Sequence, residues 1–142
     1  MGFEALARWN SAKLGPIGPA EFIPLAEEAG LVTAIDEWVL REACRQTSAW
    51  LSAGLEALPM AINLSLARVD VDRLLKTIKS TLHSTALPAS LLEVEFTESQ
   101  MLGQDDRARQ LVDGIRAMGV GLTVDDFGTG YSSLSYLTDF RF

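Results

Sequence analysis

The sequence predicts an α/β fold in which parallel strands alternate with helices. Short apolar stretches with strand periodicity alternate with longer stretches of helical periodicity along the 142 residues. The connections between successive strands are long enough to hold helices, and such connections join parallel strands through right-handed crossovers. Two architectures accommodate this order, a doubly wound open sheet and a (β/α) barrel. In both, the site forms at the carboxyl ends of the strands.

Four stretches are predicted as strands because apolar residues dominate them or alternate with polar ones. They are residues 2–9, 59–65, 91–98 and 121–124. The segment 10–18 contains Gly15, Pro16 and Gly18, and it is predicted as a loop. The sheet is therefore expected to hold about four parallel strands from this chain.

Helices are predicted beside these strands, from apolar residues that recur at spacings of three and four. Their approximate ranges are 20–29, 33–52, 70–83 and 108–118. Pro19 suits the first helical position and Gly30 the end of the first helix, while Thr33 is predicted to cap the second. In the second helix, Leu31 and Trp38 belong to the apolar set that is expected to face the core.

Composition favours one globular domain, since hydrophobic residues make up 48% of the chain. The formal net charge of −7 argues against a DNA or RNA partner, which requires a basic surface. It is compatible with an anionic substrate when metal ions lie between substrate and protein. The single cysteine, Cys44, excludes an internal disulfide and fits a reducing compartment. Because no stretch has the length and apolarity of a transmembrane helix, the chain is expected in the cytoplasm.

Polar residues stand toward the carboxyl ends of three predicted strands. Asn63, Glu95 and Asp125 occupy these positions, and Asp126 follows directly. Glu4 lies earlier in its strand, so it joins them only if that strand is offset along the sheet. An isolated Asp-Asp pair favours a solvated turn. Carboxylates that converge from several strands favour a divalent metal site instead, because hard cations bind oxygen ligands.

Six separated blocks of the chain, in this order, resemble the EAL-domain family of bacterial cyclic di-GMP phosphodiesterases. They are Glu4-Ala5-Leu6-Ala7-Arg8-Trp9, the segment 19–27 (PAEFIPLAE), Glu37-Trp38-Val39-Leu40, Asn63-Leu64-Ser65, Glu95-Phe96-Thr97-Glu98, and the segment 125–133 (DDFGTGYSS). The resemblance covers essentially the whole chain. It implies a TIM-like barrel with an irregular strand pattern, which agrees with the second of the two architectures.

The resemblance also implies a site for two ions of Mg²⁺ or Mn²⁺. The residues it makes ligands of the first ion are Glu4, Asn63, Glu95 and Asp125. It makes Asp125 a bridge to a second ion that Asp126 also binds, and it places Glu4, Asp125 and Asp126 in the catalytic set. Ligands that are all oxygen suit these cations, and two ions about 3.5–4 Å apart activate water and stabilise the leaving oxygen. Attack by metal-bound hydroxide would open the cyclic dinucleotide to a linear one.

For the substrate, the resemblance implies a further set of contacts. It places Arg8 against a phosphate of cyclic di-GMP, Phe22 and Pro24 near a guanine, and Leu6 in the substrate site. It makes Glu98 the anchor of the loop 126–133. The alternative function is a cyclic di-GMP receptor or interaction module without hydrolysis. The presence of Glu4, Asn63, Glu95, Asp125 and Asp126 favours an active parent domain, whereas the shortness of the chain favours inactivity of these 142 residues alone.

Residues 1–142 are predicted to form a single, incomplete EAL domain. A TIM barrel takes about 250 residues. The family pattern has a strand before Glu4, and it continues beyond the loop 126–133 with a lysine and a glutamate of the site. Four strands alone would leave two sheet edges unpaired and one face uncovered. Either a partner chain completes the barrel or the chain is part of a longer protein, and the second is expected. Flanking sensory or cyclase domains and a homodimer are further expectations.

Overall fold

A computed structural model of the chain describes residues 1–66, 70–97, 100 and 105–125, with Asp105 and Asp125 described by their backbone alone. The elements in chain order are β1 (Phe3–Ala5), β2 (Trp9–Ser11), β3 (Gly15–Ile17), α1 (Pro19–Ala29), α2 (Val32–Ser52), β4 (Met60–Asn63), α3 (Val71–Thr85), a 3₁₀ turn (Ala89–Leu91), β5 (Leu92–Thr97), α4 (Asp105–Ala117) and β6 (Gly121–Asp125).

The centre of the fold is a parallel sheet of four strands in the order β1-β4-β5-β6. Helices lie between successive strands of this sheet, as the alternating sequence pattern predicts. The α/β class and the parallel arrangement are thereby confirmed.

The two faces of the sheet differ in polarity. On β4 and β5 the buried positions alternate with less buried ones, and Ile62 and Val94 are fully buried. This apolar face packs against α2, α3 and α4 in one core with residues such as Leu40, Ile78 and Leu111. The opposite face holds the polar residues of the strands. The sheet therefore separates a core from a polar surface.

Helix α3 illustrates how local sequence sets these elements. Asp70 caps its N-terminus, where the carboxylate accepts a hydrogen bond of 3.1 Å from the Arg73 backbone N–H. Helix α4 then packs closely on α3 at Gly114, where an added methyl group would lie 2.5 Å from Leu75 Cδ1. The predicted start of α3 at Asp70 is confirmed.

The boundary between α1 and α2 agrees only in part with the prediction. Pro19 does occupy the first turn of α1, and Gly30 ends the helix in the left-handed conformation with φ of 72°. Thr33 is not the cap of α2, because the helix already begins at Val32 and Leu31 precedes it without a side-chain cap. Leu31 and Trp38 do not face the core either, since they are 56% and 57% exposed.

The segment predicted as a loop at 10–18 forms an antiparallel hairpin of β2 and β3, with Trp9 opposite Ile17. The turn depends on Ser11, whose Oγ accepts hydrogen bonds from the backbone N–H groups of Lys13 and Leu14. Gly15 follows with φ of 74°, a conformation that favours glycine. The predicted strand 2–9 is correspondingly shorter, because β1 ends at Ala5.

Within the described residues, no helix combines the length and apolarity that crossing a membrane requires.

Candidate active site

Glu4 and Asn63 meet on the polar face of the sheet. Asn63 is the last residue of β4, and its Nδ2 donates a hydrogen bond of 3.0 Å to Glu4 Oε1. In the register of the sheet, Glu4 lies opposite Ala61, two residues before Asn63. The side-chain contact spans this offset, so Glu4 joins the site although it lies in the middle of a short strand.

Two further predicted ligand positions share this face and the same end of the sheet. Glu95 is the direct register partner of Asn63 on β5 and is half-buried. Asp125 is the last residue of β6 and pairs with Thr97, two residues beyond Glu95. The alternation of a strand places both positions on the face that holds Glu4 and Asn63. Four strands therefore bring all four predicted first-ion ligand positions to one region.

The donor chemistry of this region fits a hard divalent cation. Glu4 and Glu95 supply carboxylate oxygens. Asn63 Nδ2 donates its hydrogen bond to Glu4, so the amide oxygen Oδ1 is the atom of Asn63 that can bind a cation. Among the side chains that the structure describes, no group of three or more His, Cys, Asp and Glu residues is placed to hold a metal ion. The described donor set is thus two carboxylates and an amide, next to the backbone position of Asp125.

Glu93 forms a second polar layer, one step further from the carboxyl ends of the strands. Thr123 Oγ1 donates a hydrogen bond to Glu93 Oε1. Gly121 leaves room for this carboxylate, since a methyl group there would lie 3.3 Å from Glu93 Cγ. An open cleft of about 390 Å³ includes Glu4, Glu93 and Glu95 in its lining. The polar face is therefore acidic over two layers.

A second cleft, of about 350 Å³, lies beside Arg8 and is mostly apolar. Its other lining residues are Ala7, Phe22, Leu31, Ala34, Ile35 and Trp38. The exposed Arg8 donates from Nη1 to the carbonyl oxygen of Ala7 at 2.8 Å. From the sequence, Leu31 and Trp38 are expected to face the core, because their spacing matches that of the buried residues of α2. In the structure both side chains are exposed and line this cleft.

Of the predicted neighbours of the nucleotide, Phe22 lines the Arg8 cleft, whereas Leu6 and Pro24 are outside its lining. Phe22 lines it but is only 8% exposed, and its ring meets Trp9 edge to face at 6.3 Å between centroids. Leu6 is 54% exposed, next to the strand that carries Glu4. Pro24 is exposed on α1 and does not line the cleft.

Asp36 is a residue of this region that sequence reasoning missed. It lies in the second turn of α2, and its Oδ2 accepts a hydrogen bond of 2.8 Å from the backbone N–H of Ser65. Burial raises the pKa of the Asp36 carboxyl to about 7, the Ser65 hydrogen bond opposes this rise, and the nearby charge of Glu27 adds to it. An acid between Ile35 and Glu37 on an amphipathic helix gives no sequence signal of burial.

Asp126, Glu98 and the loop 126–133 lie outside the described residues. Their assigned roles, second-ion ligand and loop anchor, stay predictions.

The profile of the EAL domain matches residues 1–142. The chain belongs to the EAL-domain family. Two curated relatives come from Pseudomonas aeruginosa. The bifunctional diguanylate cyclase/cyclic di-GMP phosphodiesterase MucR is 44% identical over 137 residues, covering 96% of this chain and 20% of MucR. The cyclic di-GMP phosphodiesterase NbdA is 41% identical over 134 residues, covering 94% of this chain and 17% of NbdA.

Solved structures show the same fold. The MucR phosphodiesterase in complex with c-di-GMP superimposes with a TM-score of 0.91 at 43% identity, covering 99% of this chain and 57% of that one. The FimX EAL domain of Xanthomonas citri in complex with c-diGMP gives a TM-score of 0.85 at 27% identity, covering 97% and 54%. The sheet and helices of this chain are thus those of the TIM-barrel-like EAL domain, and the chain spans less than two thirds of these relatives.

Proposed function

We propose that the EAL domain to which this chain belongs hydrolyses cyclic di-GMP to the linear dinucleotide with the help of Mg²⁺ or Mn²⁺. The observation that carries the proposal is the contact between Glu4 and Asn63, in the region where Glu95 and Asp125 also lie. This is an oxygen-rich donor set on rigid strands, as a catalytic cation requires. The names of MucR and NbdA support the choice of substrate.

In this proposal Glu4, Asn63, Glu95 and Asp125 would hold the first ion, and Asp125 and Asp126 would hold the second. When bound, the ions would supply an activated water and stabilise the leaving oxygen. Asn63 has a defined part, because its hydrogen bond to Glu4 fixes the amide so that Oδ1 is the ligand atom. The same bond orients the Glu4 carboxylate.

Arg8 binds a substrate phosphate in this proposal, because a planar guanidinium forms paired hydrogen bonds with phosphate oxygens. The hydrogen bond from Arg8 to the carbonyl oxygen of the preceding residue, Ala7, is exposed to solvent. A phosphate can therefore replace the Ala7 carbonyl as the acceptor at little cost in free energy. The bound cations offset the formal net charge of −7, which would otherwise repel an anionic dinucleotide. Leu6, Phe22 and Pro24 remain the proposed neighbours of the nucleotide, and Glu98 the proposed loop anchor.

For the whole protein, we propose a cytoplasmic location, further domains beside this one and assembly as a homodimer. Intact mass and light scattering of the purified protein measure the last two directly.

The test of the site uses two alanine variants of the full-length protein. Glu4→Ala and Asp125→Ala are each expected to reduce cyclic di-GMP turnover with Mn²⁺ to background, because each removes a ligand of the first ion. Glu56→Ala is the matched control. It removes an exposed carboxylate from the loop that precedes β4, at the strand end opposite Asn63, and turnover is expected to stay unchanged. Metal-dependent turnover that persists in both site variants would place the site elsewhere.

A further inference from the structure

The chain immediately after Asn63 is held by a residue from a distant helix. Leu64 donates its backbone N–H to the Glu95 carbonyl oxygen at 3.2 Å and so continues the sheet. The N–H of the next residue, Ser65, donates instead to Asp36 Oδ2 of α2 at 2.8 Å. The Asp36 carboxylate of α2 therefore accepts a hydrogen bond from the backbone N–H that lies two residues after Asn63.

This contact lies in a buried place. Ser65 is 7% exposed, and its neighbours Leu64 and Leu66 are 3% and 4% exposed. A buried backbone N–H needs an acceptor, because water cannot reach it. Asp36 supplies one from α2. Loss of this acceptor would let the segment after Asn63 shift.

The same part of α2 also borders the Arg8 cleft. Ile35, next to Asp36, lines that cleft, and so does Trp38 half a turn later. The first turns of α2 thus contact the candidate substrate cleft on one side and the segment after Asn63 on the other. A displacement of Asp36 would change the position of the metal ligand relative to the phosphate-binding arginine.

We propose that Asp36 is a positioning residue of the site: its hydrogen bond to Ser65 fixes the backbone after Asn63 and so sets Asn63 against α2 and the Arg8 cleft. The inference rests on the proposed function in one respect, namely that Asn63 is a metal ligand. Partners that orient the ligands of a metal typically affect its affinity by about 10- to 100-fold. Because Asp36 acts through two residues of backbone, we expect the lower end of this range.

The chain offers a matched control in Glu37, the next residue of α2. Glu37 also carries a largely buried carboxylate that reaches another element, since it pairs with Arg73 Nε of α3 at 2.9 Å. Its carboxylate oxygens pair with Arg73 and Arg41, which both lie outside the segment after Asn63. Glu37→Gln therefore removes a largely buried charge from the same turn of α2 and leaves both groups of the Asp36–Ser65 hydrogen bond in place.

The experiment measures the Mn²⁺ dissociation constant of the full-length protein by electron paramagnetic resonance of free Mn²⁺, and cyclic di-GMP turnover in parallel. Asp36→Ala is expected to raise the dissociation constant about 10-fold. Asp36→Asn keeps an acceptor oxygen in place and is expected to stay within about twofold of wild type, as is Glu37→Gln. Asp36→Glu keeps the charge but moves the acceptor, and it is expected to weaken Mn²⁺ binding as the alanine does.

The possible results distinguish the positioning role of Asp36 from the proposed hydrolysis of cyclic di-GMP. Wild-type Mn²⁺ affinity in both Asp36→Ala and Asp36→Glu would overturn the positioning role alone. An equal loss in Glu37→Gln would also overturn it, because the effect would then belong to α2 packing in general. Mn²⁺ binding with the expected variant pattern but without hydrolysis would overturn the proposed hydrolysis alone. A wild-type protein that binds no Mn²⁺ would overturn both.

Discussion

Asp36→Asn should change how the stability of the protein depends on pH. The folded state raises the pKa of the Asp36 carboxyl from 3.8 to about 7, chiefly through burial. Between these two values the folded protein binds a proton that the unfolded chain releases. The contribution of Asp36 to stability is therefore full below about pH 4 and is lost as the pH rises through about 7. Asparagine does not titrate, so residue 36 of the Asp36→Asn variant makes no such pH-dependent contribution to stability.

The size of the effect follows from the two pKa values. Each pKa unit corresponds to about 1.4 kcal/mol, so a rise from 3.8 to about 7 corresponds to about 4 kcal/mol at most. Asp36 is only half-buried by its exposed area, and the remaining water contact screens its charge. We therefore expect about 2 kcal/mol. The free energy of unfolding of wild type minus that of Asp36→Asn should fall by this amount between pH 4.5 and pH 7.5.

Urea denaturation followed by tryptophan fluorescence measures this difference at several pH values. All other titrating groups are shared by the two proteins, so their contributions cancel in the comparison apart from the coupling between Glu27 and Asp36. A difference that stays flat between pH 4.5 and pH 7.5 would show that the folded state does not raise the Asp36 pKa. A difference that rises with pH below about pH 4 would show that the Ser65 hydrogen bond lowers this pKa more than burial raises it.

Two further changes test helix packing and substrate binding. A methyl group on Gly114 would lie 2.5 Å from Leu75 Cδ1, so Gly114→Ala is expected to lower the free energy of unfolding by about 1–2 kcal/mol in urea denaturation. A variant as stable as wild type would show that Leu75 rotates away without loss. Arg8→Ala is expected to raise KM for cyclic di-GMP by about 10- to 100-fold and to leave Mn²⁺ affinity unchanged, because it removes a charged hydrogen-bond donor to phosphate. An unchanged KM would exclude Arg8 from the substrate site.

The sheet could be read from the sequence because burial follows the strand period of two. Ile62 and Val94 are apolar and buried, while Asn63 and Glu95 beside them are polar and less buried. This alternation predicts both the core face and the polar face. The expected placement of the ligand positions at one end of the sheet follows from the parallel order, which long crossovers dictate.

Other features depend on contacts between distant residues, and local sequence does not encode them. The contact of Glu4 with Asn63 requires the register of β1 on β4, which no pattern within either strand specifies. The hairpin of β2 and β3 has strands of only three residues, too short to show alternation. Asp36 was missed for the same reason, since its partner Ser65 is 29 residues away.

The cation dependence of cyclic di-GMP turnover tests the central claim most directly. The full-length protein is incubated with cyclic di-GMP and Mn²⁺ or Mg²⁺, and the linear dinucleotide is followed by chromatography. We expect product that disappears when a chelator is added and returns when Mn²⁺ is restored in excess. Tight binding of cyclic di-GMP without linear product, at any concentration of either cation, would contradict the account and favour a receptor.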